Sequence, residues 1–189
     1  MPSPRFRRRR GLALAVAGVI ALVLSGCVGA PAGTPSPSPS PSAEPVFASD
    51  EEALAAATKA YEAYRTASAE VARGAESSKI DSTVTPSFAE TIHGEFEALR
   101  DAGLTMVGDV LVDRVRLAFV NPDDTGVTVS IYLCRDVSNV RVISADGSDV
   151  TPSDRDPVSP TQAFLKSSSQ DPSVLLVDGV ELWSGQDFC

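Results

Sequence analysis

The only histidine of the chain, His93, has one carboxylate three residues before it, Glu90, and another four residues after it, Glu97. Side chains at these spacings are neighbours on a helix. The trio could therefore act as a general base with orienting carboxylates, or as an incomplete metal site. The apolar residues Ile92 and Phe96 belong to a separate stripe of the same predicted helix. We therefore favour a solvated helix face for His93, and we predict no metal, no cofactor and no catalytic residue from this trio.

Cys27 has a different chemical context, at the end of an apolar segment. Residues 5–10 include five arginines, residues 11–24 are mostly apolar, and small residues follow directly before the cysteine. This layout is typical of a secretory signal. The apolar segment is shorter than the roughly 20 residues that a membrane-spanning helix needs. We therefore predict a cleaved signal peptide over residues 1–26, with Cys27 as the first residue of the mature chain.

The sequence Leu24-Ser25-Gly26-Cys27 resembles the lipobox of bacterial lipoproteins. This resemblance implies that the Cys27 sulfur receives a diacylglyceryl group and that signal peptidase II cuts before it. The protein would then be held on the outer face of the bacterial cell membrane by its lipid anchor. The alternative is an ordinary secretory signal with an unrelated cysteine. Arg9-Arg10 is also compatible with the twin-arginine export route, although we favour general secretion.

The charge of the chain excludes one class of partner. Residues 1–26 contain five basic and no acidic residues, so the net charge of −9 becomes −14 once they are removed. A surface this acidic repels phosphates and anionic lipid head groups. We therefore predict no nucleic-acid binding and a contact with the membrane through the lipid anchor alone.

Residues 27–48 separate the predicted anchor from the rest of the chain. They consist mainly of Pro, Ser, Ala, Gly and Thr, with a Pro-Ser alternation over residues 35–42. Such a composition cannot bury enough apolar area to offset the entropy of ordering, and proline favours extended polyproline II. We predict a disordered linker here and a single folded domain over residues 49–189.

Two cysteines, Cys134 and Cys189, remain in the folded domain once Cys27 is lipidated. An even pair in an exported domain favours a disulfide. A metal or redox site is the alternative, but there is no Cys-x-x-Cys spacing and the histidine lies elsewhere. We predict that the two form a disulfide on the more polar face of the strand that contains Cys134.

Two helices are predicted at the start of the domain. Ser49 and Glu52 form a capping box before an apolar stripe that ends near Gly74. Thr85-Pro86 begins a second helix, whose stripe ends near Gly103. The first stripe contains Leu54, Ala57, Tyr61, Tyr64, Ser68 and Val71, and the second contains Phe88, Ile92, Phe96 and Leu99.

Residues rich in Val, Ile and Leu follow the helices and predict antiparallel strands. Residues 104–120 and 127–134 are predicted to form a long hairpin, with a bulge near Gly108. A short strand covers residues 140–143, and residues 151–160 are predicted as a loop. Asp178-Gly179 is typical of a two-residue hairpin between further strands.

This order of elements resembles the nuclear transport factor two-like family. The resemblance implies an α+β cone, in which N-terminal helices pack on a curved antiparallel sheet. In combination with the lipobox and linker, the chain also resembles lipoproteins of high-GC Gram-positive bacteria. Enzymes with this cone use a carboxylate, often with a tyrosine, that projects into the pocket. The corresponding pocket candidates are Tyr61, Tyr64, Asp109 and Asp113. Structural alternatives are a core position for the tyrosines and ion pairing on a solvated face for the aspartates.

The sequence contains no nucleophile elbow, phosphate-binding glycine loop or cluster of metal ligands. We therefore favour a non-enzymatic domain that binds a protein partner or a small apolar ligand. One alternative is a cone-pocket enzyme of the isomerase or cyclase type, with Asp109 or Asp113 as its base. Another is a structural subunit of an envelope complex.

Overall fold

The computed structural model describes residues 45–189 of the chain. The predicted signal peptide, the lipidation site Cys27 and most of the predicted linker lie outside the described residues, and they remain predictions. Within residues 45–189, neither long helix has the length and the hydrophobicity needed to cross a membrane.

Two α-helices open the domain, as the sequence predicts. Helix α1 covers Asp50–Ala72 and helix α2 covers Pro86–Asp101, with a 3-10 helix at Ser77–Ile80 between them. The hydroxyl of Ser49 accepts a hydrogen bond from the backbone N–H of Glu52 at 3.2 Å. Thr85 caps α2 in the same way. These caps satisfy backbone donors that have no partner within their own helix.

Six strands follow, and all of them pair antiparallel. Strands β2, β3, β5 and β6 form one sheet in that order, and β1 and β4 form a separate two-stranded sheet. The strands are β1 (Leu104–Val107), β2 (Leu111–Asp123), β3 (Gly126–Asp136), β4 (Arg141–Ser144), β5 (Val158–Ser167) and β6 (Leu175–Leu182). The predicted α+β class, with helices packed on a curved antiparallel sheet, is confirmed.

The long first strand predicted over residues 104–120 is wrong, because the chain breaks at Gly108. Its φ is +96°, and a Cβ atom there would lie 2.0 Å from the backbone oxygen of Asn139. Only glycine tolerates both the positive φ and this close approach. The break sends β1 to pair with β4 and leaves β2 to pair with β3.

The hairpin predicted at Asp178-Gly179 is also wrong, since β6 continues through both residues. A register shift opposite Phe164 absorbs the irregularity. The Asp178 carboxylate accepts a hydrogen bond from Thr85 at 2.7 Å and pairs with Lys166 at 2.7 Å. Asp178 therefore connects β6 to the start of α2 and to β5, and no turn forms. Strand β5 also begins inside the predicted loop of residues 151–160.

The core lies between the two helices and the inner face of the four-stranded sheet. Alternate residues of β3 point towards the helices, as expected for the period of a strand. Fully buried side chains on this face include those of Val129, Ile131, Leu133, Ala163, Leu165 and Val177. Tyr61 of α1 and Phe96 of α2 pack against them.

The two edge strands of the four-stranded sheet differ in their surroundings. At β6, the backbone of Thr83 and Thr85 exchanges hydrogen bonds of 3.0 and 2.9 Å with Val177, so the segment before α2 covers that edge. At β2, the pairing with β3 shifts register twice. Arg114, at the first shift, has a φ of +50°.

A disulfide joins Cys134 to Cys189, and this part of the prediction is confirmed. Cys134 lies on the outer face of β3, opposite the helices. Cys189 lies in an irregular segment after β6. In this segment Phe188 packs at 5.8 Å from the ring of Tyr132, and Arg114 donates hydrogen bonds to the carbonyls of Phe188 and Cys189.

Replacement of both cysteines by alanine should lower the free energy of unfolding. The disulfide closes a separation of 55 residues, for which the chain-entropy model gives about 4 kcal/mol. Urea unfolding of wild type and Cys134→Ala/Cys189→Ala under oxidising conditions measures the loss. Reduced wild type should unfold with the same midpoint as the double variant. Equal midpoints for oxidised wild type and the variant would contradict the prediction.

Candidate functional site

A cavity of about 440 Å³ lies between α1, α2 and the sheets. Helix α2 contributes four large apolar side chains to its wall, because the apolar stripe of this helix faces the sheet. The apolar side chains that line the cavity include those of Phe88, Ile92, Phe96, Leu99, Met106 and Val180. On α1, the small side chains of Ala69 and Ala72 leave open space that larger residues would fill.

Two tyrosines of α1 form an aromatic wall of the cavity. Tyr61 and Tyr64 are three residues apart and so lie on one face of the helix. Their ring centroids are 5.8 Å apart, and the Tyr64 ring lies 6.0 Å from that of Phe88 on α2. These separations are typical of favourable aromatic pairs. The contacts join the two helices across one side of the cavity.

Burial changes the acidity of both tyrosines. It raises the pKa of Tyr61 to about 12, against a smaller opposing effect of Arg135. It also raises the pKa of Tyr64, against smaller opposing effects of Ser68 and Arg135. The cause is that a phenolate loses its hydration when it is buried. Both hydroxyls therefore stay protonated near neutral pH and can donate hydrogen bonds.

Three arginines line the same cavity, namely Arg65, Arg135 and Arg155. Arg65 Nη1 donates to the carbonyl of Val110 at 2.9 Å. Arg155 Nη2 donates to the carbonyl of Val137, also at 2.9 Å. Arg135 ends the inner-face row of β3, two residues after the buried Leu133, and its side chain is exposed. The arginines thus place positive charge beside an apolar space.

Two further polar groups belong to the wall. Ser68 Oγ is buried and has no hydrogen-bond partner among residues 45–189. It lies near Tyr64, but the two hydroxyls do not meet the geometry of a hydrogen bond. Glu95 of α2 is the only acidic residue among the described residues that line the cavity. A buried hydroxyl without a partner is unfavourable, and a bound molecule could satisfy it.

The four pocket candidates divide into two pairs. Tyr61 and Tyr64 line the cavity, whereas Asp109 and Asp113 are not among its lining residues. The Asp109 side chain is 69% exposed and pairs at 3.5 Å with Arg73, the residue that follows α1. Asp113 is exposed on β2, opposite Cys134. The structure therefore brings the tyrosines together and leaves both aspartates outside.

The His93 trio is also separated from the cavity. His93 Nε2 lies 2.7 Å from the carboxylate of Asp81, which follows the 3-10 helix, so its partner is not one of the two glutamates of the trio. Within residues 45–189, no group of three or more His, Cys, Asp and Glu side chains is arranged to hold a metal ion.

The comparisons with known proteins give weak structural likenesses. The sequence matches no protein-family model, and no curated protein matches it. The intermembrane space region of the chloroplast protein ARC6 aligns with a TM-score of 0.49 at 9% identity, over 70% of this chain and 97% of that one. Aln2 from a Streptomyces species aligns with a TM-score of 0.43 at 19% identity, over 72% and 92%. A protein from Catenulispora acidiphila aligns with a TM-score of 0.40 at 16% identity, over 68% and 92%. All three TM-scores are below 0.5, so the family predicted from the sequence stays a prediction.

The buried hydroxyl of Tyr61 predicts a loss of stability at alkaline pH. The pKa of Tyr61 is about 12 in the fold, against about 10 in an unfolded chain. The folded state therefore keeps a proton that the unfolded state releases above pH 10, and stability falls as the pH rises. By pH 11 the loss from this one group is about 1 kcal/mol.

Urea unfolding of wild type and Tyr61→Phe between pH 8.5 and pH 11 measures this effect. The free energy of unfolding should fall more steeply for wild type, because phenylalanine has no proton to release. All other ionisable groups are the same in the two proteins, so their contributions cancel in the comparison. Parallel curves for the two proteins would show that the Tyr61 hydroxyl is not protected from ionisation.

Proposed function

We propose that this protein is a lipid-anchored extracytoplasmic binding protein whose cavity holds a small, largely apolar ligand. The observation that carries the proposal is the cavity of about 440 Å³ between the helices and the sheets, with its aromatic and aliphatic walls. Pockets of a few hundred Å³ with apolar walls and a few polar groups are typical small-molecule sites.

Burial of an apolar ligand supplies the binding free energy. Each methylene group that leaves water for such a wall contributes about 0.8 kcal/mol. Tyr61, Tyr64 and Phe88 add a rigid aromatic surface that loses little conformational freedom on binding, because their mutual contacts already hold them. A site that is formed before the ligand arrives binds more tightly than one that must be ordered.

The positions of Asp109 and Asp113 favour binding over proton transfer by either of these two residues. The bases considered for an isomerase-like reaction, Asp109 and Asp113, are exposed and do not line the cavity. A general base must come within hydrogen-bond distance of the proton that it removes. Burial also raises the pKa values of Tyr61 and Tyr64, which makes their phenolates poor candidates for a base at neutral pH.

The proposed location follows from the N-terminus. Lipid on Cys27 would hold the protein on the outer face of the cell membrane, and the proline-rich linker would separate the domain from the bilayer. At about 3.1 Å per residue, the stretch over residues 28–45 extends to roughly 55 Å. The cavity would then be exposed to the space between the cell membrane and the cell wall, and it could take up ligands from that space.

Replacement of Cys27 by serine tests the anchor. Cells that express wild type should incorporate labelled palmitate into the protein, and the mature chain should begin at a lipid-modified Cys27. The variant Cys27→Ser should incorporate no label and should keep residues 1–26, because the modified sulfur is absent. Cys134→Ser/Cys189→Ser controls for cysteine loss as such and should remain labelled. Equal labelling of Cys27→Ser and wild type would contradict the anchor.

Enlargement of one alanine tests the cavity. The neutral fluorescent probe N-phenyl-1-naphthylamine should bind residues 45–189 of the wild type with a rise in emission. Ala69→Phe places a ring into the cavity and should weaken binding by at least about tenfold, which corresponds to 1.4 kcal/mol. Ala55→Phe is the matched control, because Ala55 is exposed on the same helix.

Circular dichroism should show that the folded state of each variant is intact. Ala72→Phe, one turn further along α1, provides a second obstruction of the cavity if Ala69→Phe does not fold. Unchanged probe affinity in a folded Ala69→Phe or Ala72→Phe variant would contradict a ligand site between the helices and the sheets. Equal loss of binding in Ala55→Phe would do the same.

A further inference from the structure

We propose that the ligand of this cavity is an amphipathic anion, with an apolar body inside the cavity and a carboxylate or similar acid group at Arg135. This inference rests on the function proposed above and extends it to a class of ligand. It follows from the distribution of charge around the cavity, which differs from that of the rest of the protein.

The cavity is locally positive within an acidic protein. Its wall contains three arginines and one acidic residue, Glu95, whereas the chain as a whole has a net charge of −9. A random sample of this surface would have an excess of carboxylates. A local excess of guanidinium groups beside an apolar space therefore favours ligands of negative charge.

Two of the cavity arginines lack a counter-ion. Within residues 45–189, Arg65 and Arg135 form no ion pair. Arg155 differs, because hydrogen bonds from Thr151 and, to a smaller extent, the charge of Arg155 lower the pKa of the nearby Asp149 carboxyl. An acidic protein offers many carboxylates to its arginines. Unpaired guanidinium groups at the cavity thus remain available to an anion that comes from outside.

Arg135 is the best placed of the three to hold the acid group. Hydrogen bonds to backbone carbonyls fix Arg65 and Arg155 to neighbouring segments. Arg135 ends the row of β3 residues that faces the helices, and its side chain is exposed. It therefore lies where the cavity meets solvent. Its guanidinium presents parallel N–H donors that match the two oxygens of a carboxylate.

The groups around Arg135 fit the same ligand. Arg135, Tyr61 and Tyr64 all line the cavity, so the two tyrosine hydroxyls share this space with the guanidinium. These neutral hydroxyls can each donate a hydrogen bond to an acid group. The unpartnered hydroxyl of Ser68 provides a further donor. Beyond them, the apolar side chains of α2 would surround the body of the ligand.

Three ligands with one tail and different heads test this inference. Dodecanoate, dodecanamide and dodecylamine carry a negative, a neutral and a positive head, and each is titrated below its micelle concentration against bound N-phenyl-1-naphthylamine. Wild type should bind dodecanoate about 10- to 100-fold more tightly than dodecanamide, as expected for hydrogen bonds to a charged group. Dodecylamine should bind most weakly.

Arg135 variants locate the effect. Arg135→Gln should reduce the preference for dodecanoate over dodecanamide to within a few fold, and Arg135→Glu should favour dodecylamine. Arg100→Gln is the charge-matched control, because Arg100 is exposed on α2 and does not line the cavity. It should keep the wild-type preference. Since Arg135 is exposed, these variants should fold, and circular dichroism checks this.

The possible results separate the two proposals. Equal affinity of wild type for the three ligands, with loss of all three in Ala69→Phe, would overturn the anion inference and leave the ligand cavity intact. A preference for dodecylamine, or a preference for dodecanoate that Arg135→Gln does not change, would also overturn the inference. Failure of the naphthylamine probe and of all three ligands to bind wild type would overturn both proposals.

Discussion

The period of two along β3 is the constraint on which the rest of the domain depends. Val127, Val129, Ile131 and Leu133 all face the helices and are buried, so a shift of one residue would turn the whole row outwards. The same alternation places Cys134 on the outer face, where the disulfide holds the segment after β6. It also brings Arg135 to the inner side, at the cavity. The alternation along β3 therefore determines which side chains form the core, where the disulfide lies and where one of the cavity arginines, Arg135, is placed.

Two features leave the space that forms the cavity. The first is the pair of small side chains on α1, Ala69 and Ala72, which line the cavity and leave unfilled the volume that larger residues would occupy. The second is the break at Gly108, which separates β1 from β2 and gives the cavity a wall of its own in the smaller sheet. Aromatic contacts between Tyr64 and Phe88 join the two helices beside the cavity. The packed core between the helices and the four-stranded sheet supports this open space.

Local patterns were sufficient to predict the helices, their caps, the hairpin of β2 and β3, and the disulfide, because each depends on residues close in sequence or on a simple count. The glycine predicted a bulge near Gly108, but not the full break of the strand there, since this depends on the backbone of Asn139, 31 positions away. The failure at Asp178-Gly179 has a similar cause: Thr85 and Lys166 hold Asp178 in an extended strand where the dipeptide alone favours a turn.

The candidate site shows the same limit. The positions of Arg135 and Glu95 at the cavity could have been predicted from the sequence. Arg135 continues the row of β3 residues that faces the helices, and Glu95 lies three residues after Ile92 and four before Leu99 on α2. Arg65 likewise lies four residues after Tyr61. The position of Arg155 could not have been predicted, since residues in an irregular segment have no periodicity that indicates where their side chains lie. Asp109 and Asp113 were selected by residue type, but the break at Gly108 and the bulge of β2 direct them away from the cavity.

The irregular pairing of β2 has a consequence for how neighbouring copies of the protein behave. Proteins that share one membrane surface meet edge to edge far more often than proteins in free solution, and an open sheet edge is a template for aggregation. Here β6 is covered by the segment before α2, and β2 is bent by two register shifts with Arg114 at the first. Bulges and charge at an edge oppose intermolecular strand pairing. The lipid anchor proposed above would raise the local concentration of the protein, and these features of the edges would then oppose strand pairing between neighbouring copies.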